Sequence, residues 1–126
     1  MLDKIMTFLA ALCAIALLVT GLGWLIDPRA AAANLEMPLL DGLARSSQVG
    51  DMTAFFIVSG GIALASLFNR NAGLMLAAAL LLGATAVFRT TATLWHDAGF
   101  AGNLIAVEVV MAVIFLRAWW RMKSET

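Results

Sequence analysis

Four apolar runs, each close to the length that carries a helix across a lipid bilayer, take up most of this 126-residue chain and leave little else for it to become. A hydrocarbon core about 30 Å thick needs roughly 20 helical residues, and every backbone N–H and C=O inside it must be paired within the segment. The first run covers residues 4–26 and is uncharged after Lys4. The second extends from 40 to about 68 and is most apolar from Met52 to Phe68. The third covers 72–95 with Arg89 inside it, and the fourth about 100–121 with Glu108 inside it. These runs predict an all-α membrane protein, a four-transmembrane-helix bundle forming a single domain over residues 1–126.

Composition removes the main competitors. The chain is 63% apolar and 13% charged, with mean hydropathy +0.95, whereas soluble domains carry about 25% charged residues. Eight basic and eight acidic residues give a formal net charge of zero. With no Lys/Arg run, the electrostatic footprint of a nucleic-acid binder is missing. Cys13 is the only cysteine, which excludes an intramolecular disulfide and a thiolate metal cluster and makes it a small apolar filler. A signal peptide has an apolar region of roughly 7–15 residues. The uncharged stretch Ile5 to Ile26 is longer, so the first run is expected to stay as a helix.

The connections set the topology. Asp27-Pro28 has the form of an N-cap followed by proline at the first helical position. It predicts a short interfacial helix over Pro28 to Leu35. Residues 39–51 mix apolar and polar positions and are expected to form the opening turns of the second helix. Asn69 to Asn71 and His96 to Gly99 make short polar turns. Lys4, Arg70, Arg117, Arg121 and Lys123 fall on one side, against Arg29 and Arg45 on the other. By the positive-inside rule both termini are cytoplasmic, in the plasma membrane, or the inner membrane of a Gram-negative cell. Trp24 and Trp95 are then expected at the outer interface, and Trp119 and Trp120 at the inner one.

Helices in lipid associate through small residues that let backbones approach. Ala10/Ala14, Gly61/Ala65, Gly73/Ala77 and Ala79/Gly83 are small pairs at helical spacing. They predict close contacts, either inside the bundle or with a second copy or a membrane partner subunit.

The informative residues are the ionisable ones inside the runs, since a charge at a helix centre costs about 2.5–3.5 kcal/mol on insertion scales. Arg89 lies six residues from Trp95 and Glu108 eight from Phe100. At about 1.5 Å per residue the two reach similar depths and can meet on facing helices. Arg89, Thr93 and His96 share a helical face, and Ser47, Gln48 and Asp51 share another. Together they predict an outer-half polar pocket around Arg89, Glu108 and Asp51, with Phe55, Phe56 and Phe88 as aromatic walls.

Two readings of the cluster stand side by side. In one, Arg89 and Glu108 form an ion pair that only holds two helices in register. In the other, Arg89 offers its guanidinium to a carbonyl, carboxylate or quinone oxygen, and Glu108 or Asp51 exchanges a proton. His96, the only histidine, reads as a loop residue rather than a metal or haem ligand, because no partner ligands cluster with it. No phosphate loop, nucleophile elbow or zinc-binding histidine pair is present.

The run RSSQVGDMTAFF opening the second helix at Arg45, with Arg89 late in the third and Glu108-Val109-Val110 early in the fourth, resembles an uncharacterised family of small four-helix membrane proteins in the DoxX-like group. The likeness spans nearly the whole chain. It implies a four-helix bundle and little chemistry; some relatives in the wider group resemble membrane subunits of quinone-linked redox systems, which would suit a lipid-side polar pocket. The family's tyrosine and paired glycines after the arginine are replaced here by Gly50-Asp51 and Phe55-Phe56, so the match rests chiefly on Arg89 and Glu108. The functions that follow are binding of a quinone- or isoprenoid-like molecule, a membrane isomerase or hydrolase using Glu108 or Asp51, a proton-coupled carrier, or a passive assembly subunit. No particular cofactor is implied.

Overall fold

The structure is a computed structural model that describes residues 2–126, with side chains from residue 3 onward. Five helices follow one another: α1 (Leu2–Ile26), α2 (Pro28–Asn34), α3 (Gly42–Asn69), α4 (Ala72–Trp95) and α5 (Gly102–Ser124). All but α2 are long and apolar enough to cross a membrane. The chain is therefore an all-α membrane protein with four spanning helices and one short helix between the first two.

Local chemistry explains the breaks. The Asp27 carboxylate accepts from the Ala30 N–H at 3.2 Å, and Pro28 occupies the first turn of α2, where its missing N–H costs nothing. Residues 35–41 then run without regular structure to Gly42, so α3 starts two residues later than the apolar pattern suggests. Arg70 ends α3 in the left-handed region at φ 53°, and the Asn71 side chain caps α4 by accepting from the Leu74 N–H. Two residues thus reverse the chain.

In the bundle α1 packs most closely on α3, and α4 on α5; α3 against α4 and α1 against α5 close the ring. Neighbours run antiparallel. Both termini and the Arg70 turn lie at one end, the terminal end. The short helix and the 96–101 turn lie at the other, the α2 end.

Burial explains why this assembly needs lipid. Ile5, Phe8, Leu12, Ile15, Val19, Leu22 and Ile26 are exposed along one face of α1 at steps of three and four residues. Val109, Val110, Val113 and Leu116 are exposed on α5. Faces this apolar are stable only against hydrocarbon. The interior is instead filled by small or adaptable side chains: Ala10, Ala14 and Leu17 from α1, Ala63 from α3, Met75, Ala78 and Leu82 from α4, and Ala112 and Phe115 from α5.

Small residues bring α1 and α3 together, though not all those expected. A Cβ on Gly60 would lie 2.7 Å from the Ala14 carbonyl oxygen, so only glycine permits this crossing. Gly83 faces Ala112 across the α4–α5 seam, and its partner Ala79 is buried. Gly61 and Gly73 make no such approach: a Cβ on Gly61 would meet nothing within 4 Å, and one on Gly73 only the neighbouring cap Asn71.

The α2 end corrects one expectation. Trp24 is fully buried beneath α2, against Ala31, Ala32, Leu35, Val49 and Met52, rather than at an interface. Folding α2 back over α1 removes the indole from the boundary; Trp95 and Trp120 remain exposed. At the terminal end, Arg121 Nε pairs with Asp3 at 2.9 Å and Nη1 donates to the Asp3 carbonyl and to Thr7. Glu125 bridges Arg121 to Arg70. Each exposed pair is worth about 1 kcal/mol or less, yet together they tie α1, α5 and the α3–α4 turn at this end.

Candidate functional site: a carboxylate at the wall of an interhelical cavity

Arg89 stands six residues before the end of α4, and Glu108 six residues after the start of α5. A rise of about 1.5 Å per residue puts both roughly 9 Å below the α2 end. Because α4 and α5 are antiparallel neighbours, the side chains meet. Arg89 Nε donates to both Glu108 oxygens, at 2.9 and 3.1 Å. The Glu108 side chain is 11% exposed and that of Arg89 26%, so the acid is the more deeply held member.

Beside this acid lies a cavity of about 130 Å³. Its wall draws on every spanning helix: Leu17 and Thr20 from α1, Phe55 and Phe56 from α3, Leu82 from α4, and Leu104, Val107, Glu108 and Met111 from α5. Leu35, just past α2, closes it toward the α2 end. Arg89 is not part of the wall. The guanidinium approaches the carboxylate from outside the cavity, so the acid, rather than the base, is what an occupant would meet.

The remaining predicted residues divide. Phe55 lines the cavity, with its ring set edge-on to Phe56 at 5.0 Å between centroids. Thr93 stays beside the pair on α4, where its hydroxyl oxygen lies 3.3 Å from the carbonyl oxygens of both Arg89 and Gly99 and its single proton is donated to one or the other. It anchors the 96–101 turn and does not reach the cavity.

Asp51 does not join the cluster: it is exposed, because the buried face of α3 follows Gln48, Ser59, Ala63 and Ser66, and Asp51 and Ser47 lie off it. Gln48 is buried but employed elsewhere. Its oxygen accepts from the Leu40 N–H at 2.9 Å and its nitrogen donates to the Pro38 carbonyl at 3.0 Å, pinning the irregular segment 37–40 to α3. Phe88 is 67% exposed on the lipid side of α4, adjacent to Arg89 in sequence but turned away by about 100°. His96 caps α4 through its backbone and is exposed.

Most of the cavity wall carries no signal in the sequence. Leu17, Leu82, Leu104, Val107 and Met111 are ordinary apolar residues in apolar runs, Leu35 lies in the connection after α2, and only the tertiary arrangement brings them to one cavity. Among the described residues, no group of three or more His, Cys, Asp and Glu side chains converges to hold a metal.

No protein-family model, curated protein or solved structure matches the chain.

Proposed function

We propose that this protein binds a lipophilic small molecule of the quinone or isoprenoid kind in the cavity against Glu108, serving as a binding or redox-associated membrane subunit. The observation that supports this most is a single carboxylate in a wall built by all four spanning helices whose only other polar side chain is Thr20. Ligand sites commonly have this form: an apolar enclosure with a few placed polar groups. The same pair, Arg89 and Glu108, carries the resemblance to the DoxX-like group, to which we assign the chain on those residues. The charge bias supports a plasma-membrane location with both termini cytoplasmic and the α2 end outward.

Native mass spectrometry of protein released in mild detergent tests the reading. Wild-type chains are expected to retain a small lipophile, and Leu104→Trp, which extends a half-buried wall residue into the cavity, to lose it while keeping its helicity. Bare wild-type chains, or equal retention by both proteins, would overturn the proposal.

A second reading has its own observation. Arg89 engages both oxygens of Glu108, as it would if the pair served only to register α4 against α5 within a passive assembly subunit. On that reading a membrane partner co-purifies equally with wild type and Leu104→Trp, and ligand retention does not depend on Glu108.

A further inference from the structure

We infer that the occupant is a head-and-tail amphiphile whose compact head donates a hydrogen bond to Glu108 and whose apolar tail lies in the groove between α1 and α5. This rests on the binding reading above and narrows it, among quinone- and isoprenoid-like molecules, to those that carry a hydroxyl donor, such as a hydroquinone or an isoprenoid alcohol.

Size limits the head. A cavity of about 150 Å³ takes a benzene ring. The space beside Glu108 is slightly smaller, about 130 Å³, which limits the head to at most one six-membered ring or a group of similar bulk, with no long chain beside it.

Polarity limits it further. Paired with a guanidinium, Glu108 is a carboxylate that only accepts hydrogen bonds. Thr20, the other polar side chain of the wall, already donates its hydroxyl proton to the Ala16 carbonyl at 2.8 Å and can only accept from an occupant. Both polar side chains facing the space are acceptors. Arg89, the one strong donor nearby, is outside the wall. The head must bring the donor, as a phenol, a hydroquinone or a terminal alcohol does, and as a quinone or an ether does not.

One groove that backs onto the cavity, between α1 and α2, shares Thr20 and Leu35 with its wall but carries the polar side chains of Asp27 and Asn34, which do not suit a hydrocarbon tail. A second, wholly apolar groove of about 310 Å³ runs along the α1–α5 seam, lined by Cys13, Ala106, Val107, Val110 and Met111. Val107 and Met111 belong to both walls, so the groove and the cavity are back to back across two side chains of α5. The seam is also the loosest of the four in the ring. It is held at the terminal end by Arg121 with Asp3 and Thr7, far from the cavity, which leaves its upper half to part around a chain.

Cys13, the only cysteine and a lining residue of the groove, reports on the tail without any substitution. The probes are 4-dodecylphenol, 4-dodecylanisole, which is the same molecule with its donor methylated, and 4-ethylphenol, which has the head but almost no tail. Binding to the wild-type protein in detergent is measured by native mass spectrometry, alongside the rate at which a membrane-permeant maleimide labels Cys13. Dodecylphenol is expected to bind at least tenfold more tightly than dodecylanisole, as a hydrogen bond to a charged acceptor implies. It is also expected to slow Cys13 labelling severalfold, and ethylphenol to leave labelling unchanged.

Equal binding of phenol and anisole, lost in Leu104→Trp, would overturn the donor-head inference while leaving a lipophile site in the cavity. Phenol binding without protection of Cys13 would overturn the tail's placement. Failure of all three probes to bind, with a bare wild-type chain from native membranes, would remove the binding reading itself.

Discussion

Arg89 and Glu108 are each expensive alone inside a bilayer and tolerable together. With the acid 11% exposed, removing its partner leaves a carboxylate buried among apolar side chains. Arg89→Ala is expected to destabilise the bundle by about 3 kcal/mol, the low end for a broken buried pair because Arg89 keeps some access to its surroundings. The double change Arg89→Met with Glu108→Leu is expected to stay close to wild type, since it removes both charges and restores apolar packing. Unfolding of wild type, Arg89→Ala and the double variant in mixed micelles measures the difference; a double variant as weak as Arg89→Ala would mean that the pair does more than cancel itself. The depth of these two residues could be counted from the helix ends in the sequence, which is why their meeting was legible there. Asp51 was misleading because depth alone does not give direction: it enters α3 at the right level but off the buried face.

At the scale of helices, the α1–α3 crossing depends on one glycine of an adjacent pair. Gly60 sits where a methyl group would meet the Ala14 carbonyl oxygen at 2.7 Å, a backbone atom that cannot step aside, whereas Gly61 faces open space. Gly60→Ala is expected to cost about 1–3 kcal/mol as overpacking, and Gly61→Ala to be neutral or to gain up to about 1 kcal/mol of helix propensity. Thermal melts of the two variants followed by circular dichroism distinguish them; equal losses would contradict the crossing. Spacing of small residues could not make this distinction. Gly61/Ala65 and Ala10/Ala14 look alike as patterns, and only the rotation of each helix in the ring decides which pair meets a neighbour. The caps were easier, because Asp27-Pro28 and Asn71 act on their own next few residues and need no tertiary information.

At the scale of the whole molecule, four spans and an even number of crossings place both termini on one side, and the excess of Lys and Arg there predicts that this side is cytoplasmic. In a Cys13→Ser background, an impermeant maleimide applied to intact cells is expected to label Glu36→Cys and to leave Ser124→Cys unlabelled; the reverse pattern would invert the orientation. The four-helix architecture was readable because bilayer thickness converts directly into run length. The cavity was not, since it arises from how four apolar helices fail to fill the space beside one acid, and no single run carries that information.

The proposed function depends on Glu108 facing a space that a lipophilic occupant can enter and from which the other acids are excluded. The chain has three glutamates, and Glu36 and Glu125 lie in exposed positions at opposite ends of the bundle. With the glutamate side-chain carboxyl carbons isotopically labelled, titration with 4-dodecylphenol is expected to displace the Glu108 resonance alone, saturably, while the other two stay fixed. Displacement of all three together, or of none while the phenol is bound, would contradict it.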